Sequence, residues 1–343
     1  MKLDPDKESG SKGVRETGEG GALRIGRARD WVIGAALLAA LVMAVEWTVG
    51  WGPLLVPWRT LSPLLLLALF GLTALSYVLR AVRVYDYFGS RFRGCFPTVL
   101  RLSMLHNTAN NLLPMRAGEM VFPWLMRRYF GHGFLDAAAA LLWIRILDLH
   151  FLALIGILIL YLRDPSPIWW WAALVWLGGL LLFLPLRGLV SDSRGQSGSA
   201  LAAKLIRLVR RVLGAAPAQP GIIARVYLWT ALTWTLKFTA FAVLLEHFLP
   251  VEFWRLLTGV MGSELSSVLP FHGIAGSGSY ELAVVAALAP LGVDPSLALA
   301  GAVNLHLFLL GSTLVLGGLA LLLPKTSVRA GADPPRGSRL GRS

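Results

Sequence analysis

Residues 107–119 read NTANNLLPMRAGE: three asparagines, a proline, an arginine and a glutamate within thirteen positions of a chain that is 56% hydrophobic. The stretch is either an ordinary polar loop or a break in a helix inside a bilayer, and the fold turns on which. Composition decides the setting. Mean hydropathy is +0.64 and only 15% of residues are charged, where soluble domains carry about 25%. Thirteen tryptophans fit a chain with bilayer interfaces, where tryptophan collects. The sequence is that of a membrane protein.

Crossing about 30 Å of hydrocarbon takes about 20 apolar residues. Segments 31–51, 61–82, 134–162, 167–187, 222–248 and 296–323 are long enough. They are expected to be helices, because an open sheet cannot satisfy its backbone in lipid. The first is read as an uncleaved span, too long for a signal-peptide core and without a small-residue cleavage site. Two further apolar segments, 97–130 and 253–291, are too long for one helix, and each is broken near its middle by Pro and Gly. The expected fold is therefore an all-α polytopic membrane protein, with about six full transmembrane helices and two broken re-entrant helical hairpins. A single transmembrane domain would cover 30–323, with a cytoplasmic loop at 188–221. A disordered polar arm (1–29) and a disordered basic tail (324–343) would flank it.

The net charge is +13, yet the pattern does not suit nucleic acid. Lys and Arg gather in short segments between apolar runs: Arg24, Arg27 and Arg29; Arg80, Arg83, Arg91 and Arg93; residues 187–225; and Lys325 with the arginines after it. Positive loops mark the cytoplasmic side, so both termini are expected there, and an even number of crossings follows. Segment 97–130 would then enter from the cytoplasm and 253–291 from outside. That is the inverted-repeat plan in which interrupted helices build a substrate site. Basic loops also attract anionic headgroups. One cysteine, Cys95, excludes an internal disulfide.

The second break reads SSVLPFHGIAGSGSYE (266–281) and parallels the first: Leu-Pro, a small-residue turn, then a glutamate. Pro114 and Pro270 should each end a helix. Asn107, Asn110 and Asn111 share one helix face, and Ser263, Glu264, Ser266 and Ser267 hold similar ground in the second segment. They can cap the exposed backbone or meet a ligand. The half-helix after each break offers an anion site at its N-terminus, strengthened by Arg116 in the first and by a Gly273–Gly278 backbone nest in the second. Glu119 and Glu281 either compensate the helix dipole or bind ligand. Arg145 and Asp148, in LLWIRILDLH (141–150), are either a neutralised pair or a headgroup clamp. Lys237 lies too deep in its span to snorkel and should face the interior beside Thr230, Thr233 and Trp234. Glu246 and His247 read as interfacial, and Asn304 and His306 as packing residues. No catalytic motif, metal-ligand spacing or cofactor signature emerges, which leans against hydrolytic or metal-assisted chemistry.

NTANNLLPMRAGEM, WIRILDL and LPFHGIAGSGSYE together resemble the transmembrane domain of lysylphosphatidylglycerol synthases, a flippase-like family of bacterial membrane proteins, over roughly residues 30–323. The resemblance implies a multi-pass protein of the bacterial cytoplasmic membrane that binds lipid. It implies a lipid path with Asn111, Pro114, Arg116, Gly118 and Glu119 as one element, Arg145 and Asp148 as a second, and Pro270, Gly276, Gly278 and Glu281 as a third. Only residues 324–343 follow the last span, so the synthase's aminoacyl-transferase activity is not expected.

The function expected is that of a flippase-like transporter rather than an enzyme, passing a phospholipid or lipid-linked headgroup through a central polar groove. Its rivals are a transferase acting on a polyprenyl- or hopanoid-linked substrate and an ion-coupled small-solute transporter. The partners expected are membrane lipids with anionic or phosphate-bearing headgroups. No nucleic acid and no cofactor are expected, and self-association of the chain is compatible with the pattern.

Overall fold

The computed structural model describes residues 28–183, 200–217, 219–266 and 273–325, and among them are twelve α-helices and no strand. The long helices are α1 (Ala28–Thr48), α3 (Pro63–Phe88), α6 (Phe134–Arg163), α9 (Pro220–Phe248) and α12 (Pro295–Leu322). A short α2 (Trp51–Leu55) follows α1. Proline opens α3, α9 and α12, a place where its missing N–H costs no intrahelical bond.

Six helical stretches are long and apolar enough to cross a membrane: these five and Ile274–Leu291. The count matches the expectation, but one member differs. Segment 167–187 folds, in its described part, as α7 (Pro167–Gly178) and a 3-10 turn, Gly179–Phe183. The Gly178–Gly179 pair weakens helix propensity at the point where the α-helix stops. The 188–221 loop is not bare: it contains α8 (Ala200–Gly214), held to the bundle by Trp143 Nε1 donating to the Val212 carbonyl at 2.6 Å. The ends of the chain, 1–27 and 326–343, lie outside the described residues.

Both broken segments are two short helices about a break. In the first, α4 (Phe96–Leu112) stops before Pro114, Leu113 turns to extended backbone, and a 3-10 turn, Pro114–Met120, leads into α5 (Val121–Phe130). Proline disfavours the helical conformation for the residue before it, and Leu113 takes the bend with extended backbone. The second runs from α10 (Phe253–Ser266) to a 3-10 turn, Ile274–Gly276, and α11 (Ser279–Leu288). Pro270 and Ser267 lie outside the described residues. The two breaks touch each other, and α4 also reaches the second one.

In lipid, helices associate through close packing rather than water expulsion, and small residues mark the tightest crossings. A Cβ on Gly262 of α10 would come within 2.8 Å of the Ala283 carbonyl of α11, and one on Gly317 of α12 within 2.8 Å of Thr108 of α4. Gly34 seats α1 against Ile274 in the same way, at 2.6 Å. The largest core lies between α3, α6, α9, α10, α11 and α12, around Phe241, Leu245, Leu256, Val284 and Leu305.

One boundary matters for the site. Helix α3 runs to Phe88, several residues past the expected end at 82. Arg80 and Arg83, read as loop charges, are therefore helical and buried. The reading failed because two arginines in four residues look like the end of a span unless something inside the protein neutralises them.

Candidate functional site

The last turns of α3 carry a polar stripe. Thr73, Ser76, Tyr77, Arg80 and Arg83 recur at helical spacing and are all buried. Thr73 and Ser76 return their hydroxyls to carbonyls of their own helix, at 2.9 and 2.7 Å. The arginines point instead at α6 and α9. Arg83 donates to Asp148 Oδ1 and, at 3.0 Å, to Thr230 Oγ1.

Asp148 is the hub. Its Oδ1 also accepts from Trp234 Nε1 at 2.8 Å, while Oδ2 faces Arg145 at 3.3 Å. Arg145 then reaches Glu119 of the first break at 2.7 Å. Three elements far apart in sequence are thus tied by one chain of charge: Arg83, Asp148, Arg145, Glu119. Such a cluster is tolerable in low dielectric only because each carboxylate has a cationic partner. Arg80 stands apart. Its guanidinium lies 5.2 Å from the Trp234 ring centroid, and among the described residues no carboxylate is within ion-pair distance.

The first break is fastened by its asparagines. Asn111 donates to Thr313 Oγ1 at 2.8 Å and to the Tyr77 hydroxyl at 3.2 Å, tying α4 to α12 and α3. Asn110 approaches Glu119 Oε1 at 3.4 Å. Gly118 presses against the α4 backbone: a Cβ there would sit 2.4 Å from the Asn110 nitrogen. Only glycine allows this turn to fold so closely onto its own helix.

On the other side, Lys237 of α9 meets Glu264 of α10 at 2.6 Å and lies over the Trp234 and Phe241 rings. Behind it, the second break is locked. Gly278 donates its N–H to Glu281 Oε2 at 2.8 Å, and Glu281 Oε1 lies 2.6 Å from His306 Nδ1. His306 Nε2 lies 2.8 Å from the carbonyl of Ala275, whose φ of 54° is left-handed and costly for a residue with a Cβ. A carbonyl can only accept, so Nε2 carries a hydrogen. One proton must then lie between Nδ1 and the carboxylate, on nitrogen or on oxygen. Both side chains are buried, 4% and 2% exposed, so this proton is out of bulk water.

These groups surround one cavity of about 630 Å³ between α3, α4, α6, α9, α10 and α12. Of the residues singled out from sequence, Asn107, Asn110, Asn111, Glu119, Arg145, Asp148, Lys237, Glu264 and Gly276 line it, as do Trp234, Ser263, Ser266 and His306. Gly118 and Gly278 support it through backbone packing, and Glu281 sits behind it, held by His306, which itself lines the cavity. Pro114 makes the break. The side chain of Arg116, like Pro270, lies outside the described residues. The expected glycine nest is not open: Gly276, Ser277 and Gly278 already spend their N–H groups on Gly273, Ile274 and Glu281. Sequence reasoning missed Arg80, Tyr77 and Ser76, although their 3- and 4-residue spacing was a signal. It also took His306 for packing. Asn304 does pack, bonding Trp58 Nε1 and the Leu54 carbonyl. Charge lines one part of the cavity; Met120, Leu142 and Leu149 line another and are also exposed on the outer, apolar surface of the protein. The cavity therefore opens beside exposed apolar side chains.

Residues 31–317 match the family model described as the lysylphosphatidylglycerol synthase TM region, and the chain belongs to that family of multi-pass membrane domains. No curated protein and no solved structure matches the chain.

Proposed function

We propose that this family member binds the headgroup of a phospholipid or lipid-linked molecule in the central cavity and moves it across the bilayer, a flippase-like activity. One observation carries the reading: a single cavity has a charged interior and an apolar edge that continues into exposed leucines. A headgroup needs the first and its acyl chains the second. Arg80 receives the phosphate, because its charge is not already committed to a carboxylate at ion-pair distance. Glu119 and Glu264 meet hydroxyl or amino groups on the headgroup. The broken segments enter from opposite faces, the first from the cytoplasm, and the touching breaks form the barrier between the two sides. In this reading both termini lie in the cytoplasm and the membrane is the bacterial cytoplasmic one.

The test is reconstitution of the full chain into liposomes carrying tail-labelled fluorescent phosphatidylglycerol, with a membrane-impermeant quencher added outside. Movement appears as loss of the protected inner-leaflet fraction, and Arg80→Gln slows it at least about tenfold, the size expected when a charge-assisted bond of about 1.4 kcal/mol or more is removed. No acceleration over protein-free liposomes with anionic, zwitterionic or polyprenyl-phosphate lipids overturns the proposal.

A second reading, ion-coupled movement of a small solute, draws on the proton held between His306 and Glu281. Solute uptake that collapses with a protonophore, without lipid movement, would select it.

A further inference from the structure

Beside the main cavity lies a smaller one of about 20 Å³, walled by α3, α4, α5 and α6. Its polar lining is unusual in chemistry. Arg80, Arg83, Arg145, His106 and Asn107 border it, and the buried atoms Arg80 Nε, Arg83 Nε, Arg145 Nε, His106 Nδ1 and Asn107 Nδ2 have no hydrogen-bond partner among the described residues. Arg80, Arg83 and His106 are each more than nine-tenths buried. Four of these five nitrogens can only donate. The arginines explain why: Arg83 and Arg145 spend their terminal nitrogens on Asp148 and Glu119, leaving Nε free. Apart from the Ser103 hydroxyl, the remaining walls are apolar. An unpartnered buried donor costs as much as a lost hydrogen bond, so several around one void call for an acceptor within it.

Size limits that acceptor. About 10–15 Å³ of such space admits one water, so the void takes a single atom of water or halide size. A water would accept two hydrogen bonds and would then need acceptors for its own two hydrogens, where the site offers the Ser103 oxygen and one tautomer of His106. A halide accepts from every donor at once. Its charge also answers an imbalance. Among the described residues, Arg80, Arg83, Arg145 and Lys237 are met by three carboxylates, Asp148, Glu119 and Glu264, and Arg80 has none at ion-pair distance.

We propose that this small chamber is a structural halide site, occupied by chloride, which joins the arginine side of the site to α4. It shares Arg80 and Asn107 with the main cavity, but halide binding is read without lipid movement and stands or falls independently of it. The ion accepts from Nε of Arg80 and fixes its guanidinium at the wall shared with the main cavity, with the terminal nitrogens left to that cavity.

The purified full chain in detergent is exchanged into sodium gluconate, and sodium chloride or bromide is titrated in at constant ionic strength while the unfolding midpoint is followed. Ligand that binds only the folded state raises the midpoint with concentration, and a saturating rise of at least about 2 °C is expected. Crystals grown in bromide should show one anomalous peak within hydrogen-bond distance of Arg80 and Asn107. Asn107→Leu fills the chamber and should abolish the halide response while the protein still elutes as a folded species; Arg80→Gln, if folded, should abolish it too. The same midpoint in gluconate and bromide, or no bromide peak, overturns the proposal and leaves the chamber to water. A halide response that survives in Asn107→Leu also overturns it. So does a rise given by phosphatidylglycerol micelles and not by halide, which would assign the chamber to a phosphate oxygen.

Discussion

The two broken segments share a sequence plan and end in opposite conditions. At the first, Glu119 keeps a quarter of its side chain exposed, lines the cavity and is held by Arg145 from a neighbouring span. At the second, Glu281 is buried out of the cavity, caps its own helix through the Gly278 N–H and is held by His306, which stands in the cavity wall. The same plan thus puts one glutamate in the cavity and the other behind its wall, although both breaks reach the cavity. The difference comes from the partner. Arg145 lines the cavity and draws its glutamate there, whereas His306 uses its second nitrogen on the left-handed Ala275 and pins the whole turn.

The sharpest way to break the comparison is to remove what the first half depends on. Asp148→Ala leaves buried Arg83 with only the Thr230 hydroxyl, takes one of the two carboxylates from Arg145 and frees Trp234; it should cost about 3–5 kcal/mol, read as a collapse of the unfolding midpoint in detergent. Glu281→Leu leaves His306 and the Gly278 N–H without their acceptor and should be nearly as costly, about 3 kcal/mol or more. Glu119→Leu, by contrast, removes a partly exposed partner while Arg145 keeps Asp148, so roughly 1 kcal/mol or less is expected. Lipid movement should invert that order among folded variants, falling further with Glu119→Leu. Equal stability losses at the two glutamates would erase the distinction between cavity face and brace.

Glycines sharpen it further. Gly118→Ala drives a Cβ into the α4 backbone and Gly273→Ala places one 2.0 Å from the Ser277 carbonyl; overpacking of this kind costs about 1–3 kcal/mol at each break. Midpoints of both variants measure whether the two turns are equally tight. The smallest effect lies outside the membrane. Asp294 caps α12 through the Ser296 and Leu297 N–H groups, and the Ser296 hydroxyl, then the Leu297 amide, hold its carboxyl below the usual carboxylate range. A lowered carboxyl stabilises the fold above its unfolded value and loses that stabilisation as pH falls through the folded one. Asp294→Ala should therefore flatten the stability profile at acid pH while leaving it unchanged near neutrality apart from the lost cap.

Much of this was legible in the chain. Runs of twenty apolar residues locate five of the six spans, and Leu113-Pro114 the end of α4, because length and helix termination are local properties. Arg145 and Asp148 could be paired by their spacing on one helix. What was not legible lies through space. Lys237 and Glu264 are both conspicuous, yet nothing along the chain joins them, and the partner of Glu281 is a histidine that looks like packing until α12 is laid beside α11. Arg80 and Arg83 were hidden by their own charge, which imitates a cytoplasmic loop when Asp148, 65 residues from Arg83, is out of view.

That separation has a consequence for how the protein is made. Helix α3 delivers two arginines before α6 supplies Asp148, and α11 delivers Glu281 before α12 brings His306. A lone charge at the centre of a bilayer costs roughly 2.5–3.5 kcal/mol on insertion. Each early helix must therefore wait at a shallow depth, or beside the insertion machinery, until its counter-charge is synthesised. The order of the helices in the chain then sets the order of biogenesis: the arginine side closes when α6 arrives, and the glutamate at the second break is settled only by the last span to leave the ribosome.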